Sequence, residues 1–338
     1  MKRACGLLFC LAVSCGSSGG PDPVEEIRFL MDTVIRITAY DAQRSAEEVR
    51  SVLDGAFDLM ARMEKMTSRY ADSSEVAGVN REAGGSAPAV SEEVFEIFQC
   101  AEDVSRETGG AFDVSVDAVE RIWGFATDHP RVPDARSIER MLRFVDSRKI
   151  RLDRPRVGLA EAGMSVDLGG LAKGYVVDRA VEYLRDAGIP AGIVDAGGDL
   201  RIFGDHPRRR VWRIGVRHPR SEGGMLGTIE TKAASIATSG DYERYFMEGG
   251  IRYHHILDPR TGRPARGCVS VTILTERAMT ADAYATAVFV MGPERGMDFI
   301  ETNPGVEGIL VSEEDGVLSQ RVSSGLQEHF RAIEERGS

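Results

Sequence analysis

The chain predicts an α+β fold on three observations. β-type runs follow one another between residues 192 and 236 with no helix intervening, helical periods are grouped before and after them, and no segment repeats. A doubly wound sheet would instead alternate strand with helix. The 338 residues, 42% hydrophobic and 28% charged, suffice for one large core or two tightly joined lobes.

Lys2 and Arg3 precede the apolar stretch Leu7 to Val13, then Ser14, Cys15 and the glycine-rich Gly16 to Gly20. This is the pattern of a lipoprotein signal, predicting a signal peptide over 1–14, lipidation at Cys15, a tether over 15–24 and one folded domain over 25–338. Ile27 to Ala39 alternates like one strand. Ser45 and Glu48 form a capping box for a helix with Val49, Val52, Leu53, Ala56, Phe57, Met60 and Met63 on one face. A second helix over Ser91 to Thr108 ends at Gly109 and Gly110, after which a strand begins. A shorter helix covers Ser137 to Phe144. Val166 to Tyr175 is a glycine-rich turn from strand into helix. Strands follow at 192–194, 200–203, 211–216, 226–236, 269–274 and 308–311, and Thr280 caps a helix before the last of them. The net charge of -11 argues against nucleic-acid binding, and no later apolar run approaches the ~20 residues of a membrane span. Cys100 and Cys268 lack disulfide or zinc spacing.

Four runs carry chemistry. His254 to Pro264 joins two histidines to a turn built on Pro259 and Gly262 with Arg260 and Arg263 beside it, either a phosphate-facing loop or a polar turn with solvated arginines. Val166 to Tyr175 offers backbone N–H groups and Lys173 to an anion, or is a tight packing turn; it fits neither usual nucleotide loop. Asp282 and Thr286, four residues apart, share a helix face as ligands of a hard cation would, or serve the helix alone. Thr108 to Asp113 ends a helix.

Taken in order with Met31-Asp32-Thr33, Ser68-Arg69-Tyr70, Ser74 to Asn80, Ala111-Phe112-Asp113, Trp123-Gly124-Phe125, Asp195 to Asp199 and Thr238-Ser239-Gly240, these runs resemble the bacterial ApbE-type flavin transferases, the FAD:protein FMN transferases, from about Phe29 to Leu310. The resemblance implies two α/β lobes forming a single unit with the flavin between them. It implies FAD contacts at Met31, Tyr70, Ala111, Phe112, Asp113, Asp167, Lys173 and Leu257, and Mg²⁺ held by main-chain oxygen of Gly170 and by Asp282, Ala285 and Thr286. His255 is the general-base candidate. FAD is then the substrate: a threonine or serine hydroxyl of an acceptor protein attacks the FMN-side phosphorus, AMP leaves, and the cation neutralises phosphate charge.

Three departures matter. Asp32 replaces a glycine, Lys173 stands where some members carry an acid, and Asn80 occupies a position implicated in hydrolysis of FAD to FMN and AMP. Hydrolysis, a flavin-binding lipoprotein without turnover and a solute-binding lipoprotein are the alternatives. The family's acceptor segment, Asp-x-x-Ser/Thr-Gly-Ala-Thr-like, is absent here, so the expected target is a separate protein, a membrane redox subunit facing the same extracytoplasmic compartment as the lipid-anchored enzyme.

Overall fold

The structure, a computed structural model, describes residues 20–333; the signal peptide and Cys15 lie outside the described residues. β1 (Val24–Leu30) and β2 (Thr33–Tyr40) form an antiparallel hairpin where the sequence suggests one strand, because the alternation continues through the turn. Met31 and Asp32 make that turn with φ of 53° and 57°, the positive values a two-residue hairpin loop demands. Val24 thus already belongs to the sheet rather than to a tether.

α1 (Ala46–Thr67) starts at the predicted capping box: Ser45 Oγ accepts from Glu48 N–H at 3.3 Å, and the Glu48 carboxylate accepts from Ser45 N–H at 2.8 Å. Its stripe is buried from Val49 to Met63, with Val52 at the margin. After α2 (Glu75–Arg81), α3 (Glu92–Glu107) runs between Ser91 and Thr108, and the expected glycine pair follows with φ of 60° and 79°. The strand expected next is a 3₁₀ turn over Val114–Val116, since the Asp113 carboxylate accepts from Ser115 N–H at 2.8 Å and curls the chain. α4 (Asp117–Trp123) and α5 (Ala135–Leu142) follow, the latter starting two residues early because Asp134 supplies the N-cap.

β3 (Ile150–Asp153) and β4 (Arg156–Leu159) pair with each other; then come α6 (Ala172–Asp186), β5 (Ala191–Ala196), β6 (Asp199–Phe203) and β7 (Trp212–Arg217). The run read as one strand over 226–236 is two, β8 (Met225–Thr231) and β9 (Ser235–Gly240), which enter different sheets. β10 (Tyr245–Glu248) and β11 (Ile251–His254) make a separate hairpin, and β12 (Leu257–Asp258) and β13 (Arg263–Pro264) a tighter one. β14 (Ser270–Thr275), α7 (Ala278–Met291), α8 (Pro293–Thr302), β15 (Glu307–Glu314), β16 (Val317–Val322) and β17 (Phe330–Ala332) complete the described chain.

The main sheet runs β1-β2-β5-β6-β9-β14-β15-β16, and its pairings are antiparallel throughout, as an α+β fold requires. Side chains alternate across it. Ile35, Ile37, Phe203, Val271 and Ile273 enter a core shared with α1, α3, α6 and α7, whereas Leu200, Ile202, Leu274 and Ile309 face a second core closed by the sheet β17-β8-β7. α7 is apolar nearly all round and lies buried between helices and sheet. A small third core of Val119, Trp123, Ile138 and Leu257 joins α4 and α5 to the β12–β13 turn.

Candidate active site

The site is assembled where α6 and α7 begin. α7 starts at Ala278 rather than at a Thr280 cap, because Asp178 of α6 caps it from outside: its carboxylate accepts from Ala278 N–H at 2.9 Å and Met279 N–H at 3.1 Å. Arg201 of β6 neutralises this fully buried carboxylate at 2.7 Å. One turn further along α7, Asp282 is buried, accepting from Gly174 N–H at 3.3 Å. Thr286, one turn on, meets Ser239 Oγ of β9 at 3.2 Å. A Cβ built at Gly170 would stand 3.9 Å from Thr286 Oγ1 and 3.1 Å from Phe112 Cε2, so the glycine turn, the Phe112 ring and the α7 hydroxyl converge.

Lys173, expected to reach a ligand, turns inward. Its ammonium pairs with Asp199 of β6 and lies 3.7 Å from Asp282. Burial opposes the lysine charge, but these two carboxylates overcome it and hold the ammonium above its usual range. Burial, reinforced by Asp199, pushes the Asp282 carboxyl up to about 7, with Lys173 acting against the rise. The donor set suits a hard cation: one carboxylate and one hydroxyl on α7, with main-chain carbonyls available on α7 and the glycine turn. Ala285 is wholly buried within α7, leaving only its carbonyl to contribute.

His255 follows β11 and is half-buried. Its ring Nδ1 stands 3.3 Å from Arg244 O, which leaves Nε2 as the lone-pair nitrogen when Nδ1 carries the proton. Burial first, then the nearby Arg244, depress its pKa to about 3, and Lys173 adds to the effect; the imidazole is neutral. The adjacent turn holds Arg260 on its own carboxylate. Arg260 is clamped on Asp258 at 2.7 and 2.9 Å, Trp123 Nε1–H donates to Gly262 O at 2.9 Å, and the Leu257 side chain is buried in the third core. The turn is an anchor that fixes the segment carrying His255, just after β11.

A second group flanks the first. Arg69, 6% exposed, pairs with Asp117, reaches Glu120 at 2.9 Å and Asp167 at 3.3 Å, and lies over the Tyr70 ring at 4.8 Å. Asp117, Glu120 and Asp167 have the proximity of metal ligands, but the guanidinium already occupies their centre, so the cation there is arginine. Tyr70 is 58% exposed, free to stack on a planar ligand. Asp167 is tied twice more, through its own N–H to Val114 O at 3.0 Å and by accepting from Gly169 N–H at 3.0 Å.

Asn80 braces the adjoining Val166, in the extended segment that stands where a strand was expected before the glycine turn, by donating to Val166 O at 2.9 Å and accepting from Val166 N–H at 2.7 Å. The Asp113 carboxylate is spent on Ser115 and on Ser147 N–H at 2.9 Å, a structural use beside the buried Ala111 and Phe112. Met31 sits at the β1–β2 turn, its N–H donating to Glu64 at 2.8 Å. Reading the sequence by motif left Asp178, Asp199, Arg244 and Ser239 without roles, and Arg69 without its partners.

The sequence model of the ApbE family matches residues 31–310. The FAD:protein FMN transferase of Treponema pallidum is 33% identical over 361 residues, covering 99% of each chain, and that of Vibrio cholerae is 33% identical over 79% of this chain and 81% of its own. The crystal structure of the ApbE protein of Thermotoga maritima superposes with a TM-score of 0.84 at 35% identity, covering 92% of this chain and 100% of that one. The apo flavinyl transferase ApbE of Pseudomonas stutzeri gives 0.83 at 26% identity, over 93% and 99%. With sequence and fold matched over nearly the whole length, the chain belongs to the ApbE family.

Proposed function

We propose that the chain transfers FMN from FAD to a threonine or serine hydroxyl of an acceptor protein, releasing AMP. The observation that carries this reading is the meeting of Asp282, Thr286 and the Gly170 turn beside a neutral His255. Magnesium held by the Asp282 carboxylate, the Thr286 hydroxyl and the carbonyls of Gly170 and Ala285 would supply charge neutralisation at the diphosphate. Tyr70 provides an exposed ring for the flavin, the buried Phe112 backs the Gly170 turn, and Lys173 adds fixed positive charge close to Asp282. His255 takes the proton of the attacking hydroxyl as the new oxygen–phosphorus bond forms and the bond to AMP breaks. An imidazole this weakly basic is poised only once an anionic diphosphate replaces solvent beside it and raises its pKa.

Cys15, with the basic and apolar residues before it, supports a lipid anchor holding this domain on the extracytoplasmic face of the bacterial membrane, where a membrane redox subunit is the acceptor. No helix among the described residues is long and apolar enough to cross a membrane. Incubation with FAD, Mg²⁺ and a threonine-bearing acceptor should give AMP and covalent flavin fluorescence on a denaturing gel. AMP with free FMN alone would make the protein a pyrophosphatase, and bound FAD without AMP a carrier.

A further inference from the structure

A cavity of about 490 Å³ opens beneath the β10–β11 hairpin, between that hairpin, the segment 265–269 and the end of β15. Its volume suits a bound group, yet none of the residues assigned above to flavin, metal or proton transfer lines it. The hairpin has two dissimilar faces. Phe246 and Tyr253 stack on each other at 5.4 Å and pack toward Trp123, whereas Tyr245 and Met247 stay 45% and 57% exposed on the face that turns to the cavity.

The charge of the cavity is equally uneven. Arg220 is spent, bridging Asp241 at 2.7 and 2.8 Å and Glu313 at 2.9 and 2.7 Å. Arg252 gives a single N–H to Asp241 at 3.0 Å, and Arg266 has no hydrogen bond or ion pair among the described residues. Three arginines thus face two carboxylates, on a chain of net charge -11; Arg252, with one hydrogen bond and its guanidinium 4.5 Å over the Tyr245 ring, keeps further donors, and Arg266 is unpaired among the described residues. His254 forms part of the wall. Its Nε2 is fixed at 3.0 Å from Ala265 O, and its Nδ1 has no partner among the described residues.

We propose that this groove docks an acidic segment of the acceptor protein. The proposal rests on the transferase reading, which requires a protein substrate to approach His255. His254 in the groove wall and His255 at the site are consecutive, about 3.8 Å apart along the backbone. A segment whose carboxylate is held by Arg252 and Arg266 therefore binds on a wall that continues directly into His255. Tyr245 and Met247 supply the apolar contact that flanks a docked peptide.

The test uses the full chain in detergent with FAD and Mg²⁺, and two fluorescein-labelled twelve-residue peptides, each with one threonine. One carries two aspartates; in its twin both are asparagine. Anisotropy should show the aspartate peptide binding at least tenfold tighter, and the Arg252→Ser/Arg266→Ser variant losing that difference while its FAD affinity, read from flavin fluorescence, stays unchanged. Equal affinities, no binding, or discrimination surviving in the variant would overturn the proposal. So would inorganic phosphate displacing the peptide completely at low millimolar concentration, since that marks a small-anion site. Discrimination without any AMP release would leave the docking groove standing and defeat the transferase reading instead.

Discussion

Asp178 links the fold to the site, and its replacement by alanine tests that link. The carboxylate holds Arg201 at 2.7 Å and receives the first two N–H groups of α7. Arg201 is 13% exposed, so removing its partner strands a buried cation, which costs about 3–5 kcal/mol. The two orphaned amides would add about 1–3 kcal/mol each if they stayed dry, and water reaching them reduces that. A loss of about 4 kcal/mol is expected, read as the midpoint of urea unfolding followed by Trp123 and Trp212 fluorescence. Asp178→Asn, which keeps an acceptor oxygen, should lose about 2 kcal/mol. Adding Arg201→Met to Asp178→Ala should restore about 1–2 kcal/mol, the signature of a coupled pair. FAD turnover should fall in Asp178→Ala even at low temperature where it is fully folded, because Asp282 sits one turn beyond the lost cap. An alanine variant within about 1 kcal/mol of the parent, or a double variant whose losses simply add, would refute the reasoning.

In metal-free protein the raised pKa of Asp282, about 7 folded against 3.8 unfolded, means the folded state holds a proton; the benefit is complete below pH 4 and is lost as pH rises through 7. Mg²⁺ must displace that proton, so its affinity should climb by roughly tenfold per pH unit from 5 to 7, and a pH-independent thermal shift on adding Mg²⁺ would exclude Asp282 as its ligand. Arg69→Met leaves Glu120 and Asp167 without a cation and Asp117 with Arg121 alone at 2.8 Å, and should convert the three carboxylates into a Ca²⁺ site, visible as a Ca²⁺-dependent rise in melting temperature that the parent lacks. No such rise would mean the acids had parted or taken up protons. Gly262→Ala places a Cβ 2.9 Å from Ile138 and Val119 at a φ of 63°, and should cost about 2–4 kcal/mol from overpacking and left-handed strain, checked by thermal unfolding. A change under about 1 kcal/mol would mean the turn yields freely.

What the sequence disclosed follows from the range of the forces involved. The α1 box, the Ser91 cap and the glycine pair after α3 are settled within four residues, so local spacing finds them. The β1–β2 turn escaped because Met31 and Asp32 keep the period-two alternation and lack an Asn-Gly signal. β8 and β9 ran together because Lys232 to Ala234 contain no glycine or proline to mark the break. Asp282, Thr286 and Gly170 were legible through motif order. Their supports were not: Asp178 reaches its amides across 100 residues of chain, and Arg69 meets Glu120 across 51. Arg260 was left open between a phosphate-facing loop and a polar turn, and its pairing with Asp258, two residues away, decides for the turn.

Gly174 brings the starts of α6 and α7 so close that a Cβ there would lie 2.7 Å from Met279 Cα. The two helices are in effect riveted at one point, and Asp178 and Asp282 each tie α6 to α7 near it. Thermal displacement of either helix therefore moves the glycine turn and the α7 carboxylate together, as common-mode motion. Relative jitter between them, which would blur a cation's coordination shell, is thereby opposed at its source.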